Sequence, residues 1–381
     1  MITHPPLIQE RTLPHLIGRK LRSLIGSGTP PTPAPQRTLG VGLIGLGNVA
    51  NWLYLPRLQK PGSGFQLKAV HDVRKDICQK VATATSARAA VSIGELIATP
   101  GVDAVLVCTP TVYHHEAVMA ALHAGKHVLC EKPLGCSFAE ASELQQASVK
   151  AKTVNMVNFS YRFRPDLQFA GEIVASGMLG TLHLIWGSLS QGQWFDHNGK
   201  PSDQRGDAAP WKFGQDGGVL LDLGPHLLDL CRWWAGEIVD LTAWTESLGV
   251  SDKRAEAASG LSLHFKSGCR GHLLTSRLAT GSREQTLLEL TGTEGALRVN
   301  SEGIQLWTRA VPRWRRLLIP GSRQDFLRTF HDAISGVPTR IPTFEDGLRN
   351  NQLIDAAYLS AQDGRRVAID YEPTRGKEVI P

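Results

Sequence analysis

The stretch Val41–Ala50, VGLIGLGNVA, holds the glycine pattern that decides the fold of the first half of the chain. A short apolar run, Val41 to Ile44, leads into a GxGxxA sequence, and a helical pattern follows through Gln59. A second apolar strand, Phe65 to His71, ends at Asp72. Strand, glycine loop, helix and strand in this order form the context in which a glycine fingerprint binds a dinucleotide.

Each small residue of the fingerprint answers a separate physical need. Gly45 permits the tight turn, Gly47 lets the backbone approach a pyrophosphate, and Ala50 keeps the helix close to the strand. The helix N-terminus at Asn48 and Val49 supplies backbone amides and partial positive charge for that phosphate. These positions therefore predict a cofactor-binding loop.

The end of the second strand bears on the choice of cofactor. Asp72 is placed to accept hydrogen bonds from the adenosine ribose, which favours NAD. Arg74 lies two residues further on and could instead meet a 2′-phosphate, which leaves NADP open. The sequence predicts NAD, with NADP as the alternative.

A third informative stretch is Ala124–Leu134, AGKHVLCEKPL. Gly125 ends a helix, and the apolar strand His127 to Cys130 then presents Glu131 and Lys132. In an open parallel sheet the carboxyl ends of the strands face the ligand. The two charges are therefore predicted to act in the site, with a strand-end ion pair or a solvated turn as the alternative.

The strand before this stretch, Val102 to Cys108, stops at Thr109 and Pro110, at the same edge of the predicted sheet. The next helix begins with a histidine pair that includes His114. Adjacent residues do not share a helix face, so the pair does not predict a metal site. The six cysteines form no CxxC pair, and no metal centre is expected.

A second candidate constellation lies in Gly217–Asp229, GGVLLDLGPHLLD. Pro225 suits the first position of a helix, which would make Gly224 the N-cap and place His226 in the first turn. Asp222 stands four residues earlier, close enough to orient that imidazole. On spacing alone, a histidine at such a position is more often structural than catalytic.

Residues 108–134, CTPTVYHHEAVMAALHAGKHVLCEKPL, resemble the signature of the glucose-fructose oxidoreductase and inositol dehydrogenase family, Gfo/Idh/MocA. The resemblance extends from residue 39 to about residue 370. It implies that Lys132 is the catalytic lysine, that Glu131 contacts the nicotinamide ribose, and that the segment with His114 flanks the nicotinamide. It also implies that His226 is the proton acceptor of a D-x-x-x-H motif.

The predicted fold class is α/β, in three parts. Residues 1–38 form an extension with a proline-rich linker, and residues 39–160 form a Rossmann-type NAD(P)-binding domain with a doubly wound parallel sheet. Residues 161–381 form an α+β domain, for which the resemblance implies a large, mostly antiparallel sheet. Three residues of this part are candidate substrate contacts: Tyr161, Arg162 and Trp211.

Composition narrows the class of partner. The net charge is +6, but residues 1–38 hold five basic residues and one acidic residue, so the body of the chain carries only two of these charges. No basic stripe for nucleic acid is expected.

No apolar run approaches the ~20 residues of a membrane span. The N-terminal residues lack a continuous apolar signal segment, so a cytoplasmic location is predicted. By resemblance, the protein is expected to be a homo-oligomer.

These observations predict an NAD(P)-dependent oxidoreductase acting on a secondary alcohol of a sugar, cyclitol or related polyol. His226 would take the hydroxyl proton, Asp222 would orient it, and Lys132 would stabilise charge on the substrate oxygen. One alternative is redox-neutral, NAD-dependent glycoside cleavage on the same scaffold. The other is a nucleotide-sensing regulator, which would have no need of a proton relay.

We expect a chain that starts at Thr38 to fold and to keep its cofactor affinity, because the linker prolines should isolate residues 1–35 from the core. The melting temperatures and NAD dissociation constants of the full and shortened chains check this. A large fall in melting temperature on truncation would show instead that the short apolar stretch in residues 16–25 docks on the core.

Overall fold

The computed structural model describes residues 37–192, 217–247, 255–279, 284–319 and 325–371. They form two sheets, one of six strands and one of nine. The short apolar stretch in residues 16–25 and the candidate contact Trp211 lie outside the described residues. No helix of the described ranges is long and apolar enough to cross a membrane.

The first sheet is parallel throughout, with strand order β3-β2-β1-β4-β5-β6. Its strands are β1 (Leu39–Ile44), β2 (Phe65–His71), β3 (Arg88–Ala89), β4 (Ala104–Val107), β5 (His127–Glu131) and β6 (Asn155–Asn158). This is the order of a doubly wound dinucleotide-binding sheet. Alternate residues of β1 and β4 enter the hydrophobic cores on opposite faces, so the sheet is covered on both sides. The predicted Rossmann-type fold is confirmed.

Helices connect these strands. α1 runs as a π-helix over Ala50–Tyr54 and continues as an α-helix over Leu55–Leu58. The others are α2 (Lys75–Thr85), α3 (Ile93–Ala98), α4 (His114–His123) and α5 (Phe138–Ala151). Serine side chains cap α3 and α5, where Ser92 and Ser137 each accept a hydrogen bond from the backbone N–H three residues on.

The second sheet has the order β14-β13-β12-β11-β7-β10-β9-β8-β15. All neighbouring pairs are antiparallel except β7 and β10. Its strands are β7 (Leu182–Ser190), β8 (Ile238–Glu246), β9 (Ala258–Phe265), β10 (Arg270–Ser276), β11 (Gln285–Gly292), β12 (Gly295–Asn300), β13 (Gly303–Thr308), β14 (Val311–Leu317) and β15 (Val367–Ala368). The expected large, mostly antiparallel sheet is therefore present.

Helices α6 (Pro165–Ala175) and α7 (Val219–Ala235) pack on the inner face of this sheet. The prediction that a helix begins at Gly224 and Pro225 is wrong, because α7 begins at Val219 and Pro225 lies inside it. His226 consequently lies in the third turn of the helix, away from the orphan amides of the N-terminus.

The true start of α7 is held by a residue distant in sequence. Glu256 accepts the N–H of Val219 at its backbone carbonyl, 3.1 Å, and the N–H of Leu220 at Oε1, 2.8 Å. Gly218 has a φ of +154°, and a Cβ placed there would lie 2.2 Å from the Glu256 carboxylate oxygens. Only glycine fits, because the carboxylate occupies the space of a side chain.

After β14 the chain returns to the first domain. Helix α8 (Phe326–Ile334) contributes to the core that covers β1, and α9 (Phe344–Asp363) contributes to the opposite core. The Nδ2 of Asn351 donates to Gly135 O at 2.6 Å, and that of Asn350 donates to Pro225 O at 3.0 Å. α9 thus fixes the loop after β5 against the middle of α7.

Candidate active site

The glycine loop leaves room for a cofactor where the fingerprint predicts it. Gly45 has a φ of +85°, and a Cβ there would lie 2.7 Å from the backbone nitrogen of Thr109. A Cβ on Gly47 would meet nothing within 4 Å, so this position opens into free space. Asn48 is exposed and Val49 has helical dihedral angles, so the helix N-terminus borders that space. The loop therefore fits a pyrophosphate approached by backbone amides.

Asp72 is bound at both oxygens. Oδ2 accepts the N–H of Leu46 at 2.8 Å, and Oδ1 accepts the N–H and the Nε of Arg74, both at 2.9 Å. Burial pulls the pKa of Asp72 upward, but the hydrogen bonds from Arg74 and Leu46 outweigh it and hold the pKa below its usual value. The carboxylate ties the glycine loop to β2 and places a guanidinium at the predicted ribose position.

His114 connects two strand-end loops. Nε2 lies 2.9 Å from Thr109 O and Nδ1 lies 2.9 Å from Pro133 O. Burial lowers the pKa of His114, so the ring is neutral near neutral pH and has one N–H to donate to either carbonyl. The imidazole holds the segment of Thr109 and Pro110 against the loop after Lys132, which is a positioning role for the predicted cofactor edge.

Glu131 sits in a buried polar cluster. Its Oε1 accepts hydrogen bonds from the hydroxyl of Tyr54 and the Nδ2 of Asn158, both at 2.7 Å. Burial raises the pKa of Glu131, with the two hydrogen bonds opposing the effect. Because one oxygen is anchored this firmly, the carboxyl group is held in a single orientation at the end of β5.

The two halves of the chain meet at Lys132. Its Nζ donates to Asp222 Oδ1 at 2.9 Å and to Asp222 O at 2.7 Å. The side chains are 12% and 6% exposed, so this is a largely buried ion pair rather than a surface contact. The structure therefore brings the lysine of the first domain into contact with the aspartate of α7, a pairing that the sequence did not predict, since Asp222 was expected to orient His226.

His226 follows Asp222 by four residues on α7, so both side chains project from one helix face. The ring of Tyr161 stacks on the imidazole, with centroids 4.3 Å apart and an interplanar angle of 17°. The Tyr161 hydroxyl donates to Glu284 Oε1 at 2.7 Å. Tyr161 thus fixes the plane of the imidazole.

Arg162 lies in a separate network. Its Nε and Nη2 donate to the two oxygens of Asp229 at 2.7 and 2.6 Å, and Nη2 also reaches Asp346 at 3.2 Å. Burial pulls the pKa of Arg162 downward, but the two carboxylates outweigh it and hold the pKa above its usual value. These contacts favour a structural role, joining α7 to α9, over the predicted substrate contact.

Sequence reasoning missed four residues of this region: Tyr54, Asn158, Glu256 and Arg277. Arg277 could have been found, because it continues the inward-facing alternation of Gly271, Leu273 and Thr275 in β10. A charged residue at an inward position of a buried strand must be paired with a counter-charge. Within the described ranges, no group of three or more His, Cys, Asp or Glu side chains could hold a metal ion.

The chain is similar to known oxidoreductases over most of its length. Residues 39–159 match the model of the oxidoreductase family with an NAD-binding Rossmann fold, and residues 167–298 match the GFO/IDH/MocA C-terminal domain. A myo-inositol 2-dehydrogenase of Thermotoga maritima is 28% identical over 87% of this chain and 98% of its own length. A D-apiose dehydrogenase of Paraburkholderia graminis is 28% identical over 70% of this chain and 73% of its own.

A solved NAD-binding oxidoreductase of Klebsiella pneumoniae is 26% identical and superposes with a TM-score of 0.74. The match covers 87% of this chain and 99% of that one. The arrangement of the two domains described above is therefore shared with that protein.

We expect NAD to bind more tightly than NADP, because the Asp72 carboxylate repels a 2′-phosphate and occupies Arg74. The dissociation constants of both cofactors measure this preference. In Asp72→Ser, NAD should lose about tenfold in affinity, ~1.4 kcal/mol, while NADP gains from the released guanidinium. The control is Arg74→Gln, which removes the guanidinium and should therefore weaken the binding of NADP. Equal or tighter binding of NADP by the unaltered chain contradicts the assignment.

Proposed function

Because the chain belongs to the GFO/IDH/MocA family of oxidoreductases, we propose that it is an NAD-dependent dehydrogenase of a secondary alcohol carbon in a sugar, cyclitol or related polyol. The observation that carries the proposal is the contact of Lys132 Nζ with Asp222 Oδ1 at 2.9 Å, with His226 on the same face of α7. A lysine of the first domain thus contacts the aspartate that precedes His226 by four residues, beside the cofactor edge of the first sheet.

Bound NAD supplies the nicotinamide carbon that exchanges a hydride with the alcohol carbon. Gly45, Gly47 and the helix N-terminus at Asn48 and Val49 would hold its pyrophosphate, and Asp72 with Arg74 would meet the adenosine ribose. Thr109, Pro110 and Glu131 would border the nicotinamide ribose, with His114 fixing the two loops that carry them.

The protein residues handle the proton and the charge on oxygen. His226 takes the hydroxyl proton in the oxidation direction as the general base. An ammonium group has three donors, and Lys132 gives two of them to Asp222. The third is available for the substrate oxygen, where it stabilises developing negative charge. Asp222 therefore positions Lys132, in addition to its predicted role beside His226.

The substrate class rests on relatives that are named for inositol and apiose. A panel of cyclitols, aldoses and glycosides, offered with NAD or NADP and followed by the absorbance of NADH, tests it. Turnover of at least one such compound with NADH formation is the expected result. A product without net NADH would favour redox-neutral glycoside cleavage instead, and binding of NAD without any turnover would favour the regulator.

We also propose that the second sheet joins copies of this chain through its outer face. Four large apolar side chains are exposed on it: Leu184, Trp186, Trp244 and Leu274. An exposed apolar patch of this kind is typical of a protein interface.

Light scattering should accordingly give a mass of at least two chains. Trp186→Glu combined with Leu274→Glu should lower that mass, because burying the new carboxylates in the interface is unfavourable. The control is Val149→Glu, an exposed apolar position on α5 of the first domain, which should leave the mass unchanged. A single-chain mass for the unaltered protein contradicts this proposal.

His226→Ala should lower kcat by about 10²- to 10⁴-fold and leave the NAD dissociation constant nearly unchanged, because only the general base is removed. Lys132→Ala should lower kcat similarly. The two residues act on one substrate oxygen and one proton. The fold loss of kcat in the double variant should therefore be much smaller than the product of the two single losses. Steady-state kinetics of the three variants measure this. Fully multiplicative losses would separate the two residues, and full activity of His226→Ala would remove the mechanism.

A further inference from the structure

Arg277 is the largest fully buried side chain of the described residues. It follows β10 directly, and its backbone N–H donates to Ala257 O at 2.9 Å, which holds this end of the strand in register with β9. The side chain is 0% exposed. A guanidinium in such a place is strongly unfavourable unless it is paired with good geometry, so its partner identifies its role.

That partner is Asp222. Nη2 of Arg277 donates to Asp222 Oδ2, while Oδ1 of the same carboxylate accepts from Lys132. One carboxylate therefore lies between two cations, each on its own oxygen. Glu256, which holds the start of α7, is a further carboxylate that interacts electrostatically with Arg277. Other titratable groups at this face of α7 are His226 and Tyr161, and further along it Asp229 with Arg162.

Two physical consequences follow from this arrangement. A carboxylate that is hydrogen-bonded through both oxygens cannot rotate. Arg277, on one oxygen of Asp222, therefore sets the position of Lys132 Nζ on the other oxygen. Arg277 also divides the negative charge of Asp222 with Lys132. The ammonium is consequently held less tightly, and its third donor can turn to a substrate oxygen.

We propose that Arg277 is a positioning residue of the active site, which locks the Asp222 carboxylate so that Lys132 and His226 keep the geometry and charge needed for turnover. The effect on turnover rests on the proposed function. The effect on the charge balance of Asp222 and His226 does not, and it is measured separately below.

Arg277→Gln keeps the approximate volume and polarity of the side chain and removes its charge. We expect kcat to fall by about 10- to 100-fold, with the NAD dissociation constant within about threefold of the unaltered protein. Arg277→Lys keeps the charge with a shorter reach, so its kcat should lie between the two. Arg88→Gln is the matched control, because it removes an exposed guanidinium from Glu95 in the first domain. It should leave kcat unchanged.

The second readout is the titration of the His226 imidazole, followed by nuclear magnetic resonance of the labelled protein without substrate. Removing the Arg277 charge removes its repulsion of the imidazolium and strengthens the field of Asp222. Both changes favour protonation, so the His226 midpoint should rise by about half a pH unit or more in Arg277→Gln. In Arg277→Lys it should stay near that of the unaltered protein.

These readouts separate the possible outcomes. A raised titration midpoint of His226 in Arg277→Gln, together with no oxidation of any polyol, would contradict the proposed function and support the effect of Arg277 on Asp222 and His226. Unchanged kcat and midpoint in Arg277→Gln overturn the coupling while the dehydrogenase assignment stands. Equal losses of kcat in the Gln and Lys variants with an unchanged midpoint show a purely structural residue, and likewise overturn it.

A double-variant cycle covers the case in which Arg277→Gln does not fold. If Arg277 acts through Asp222, the loss of kcat in Arg277→Lys should largely disappear in an Asp222→Asn background. Full additivity of the two losses overturns the proposal.

Discussion

The buried contact between Lys132 and Asp222 is the constraint on which the arrangement of the two domains depends. Lys132 stands at the end of β5 in the parallel sheet, and Asp222 stands on α7, which packs on the antiparallel sheet. Breaking a buried ion pair leaves an uncompensated charge, at a typical cost of about 3–5 kcal/mol. The pair therefore tolerates little relative movement of the two sheets. The amides of Asn350 and Asn351 on α9 hold both of its flanks, at Pro225 and Gly135.

Helix α7 achieves this with three polar residues on its buried, mostly apolar face. Asp222, His226 and Asp229 recur at spacings of four and three, so they form one stripe along the helix. Each meets a partner from a different part of the chain: Lys132 and Arg277 at the first, Tyr161 at the second, and Arg162 at the third. Because each residue of the stripe meets a different segment of the chain, the stripe specifies how the segments assemble as well as what they can catalyse.

The sequence was sufficient wherever local chemistry determines the structure. Turn geometry and apolar periodicity predict the glycine loop and the strand end at Lys132, and the spacing of four residues places Asp222 and His226 on one face of α7. It failed where a distant residue supplies the missing group. Pro225 predicts a helix start because prolines favour that position, whereas the helix begins six residues earlier, where Glu256, a residue absent from the local pattern, holds its first amides. The burial of Arg277 could be predicted from the alternation in β10. Its partner, Asp222, could not, because Asp222 is distant in sequence.

The two halves of the site therefore depend on different kinds of interaction. In the cofactor half, backbone approach sets the geometry: Gly45 lies against Thr109, and the His114 ring lies between two carbonyl groups and donates to one of them. Substitutions there should act on NAD affinity through the shape of the loops. In the catalytic half, the side-chain charges of Lys132, Asp222 and Arg277 set the geometry, and a change in one alters the balance at the others. Substitutions there should act on kcat and on its pH dependence, with the cofactor still bound. Arg277 belongs to this second group, since it lies fully buried beside Asp222 and remote from the glycine loop in sequence.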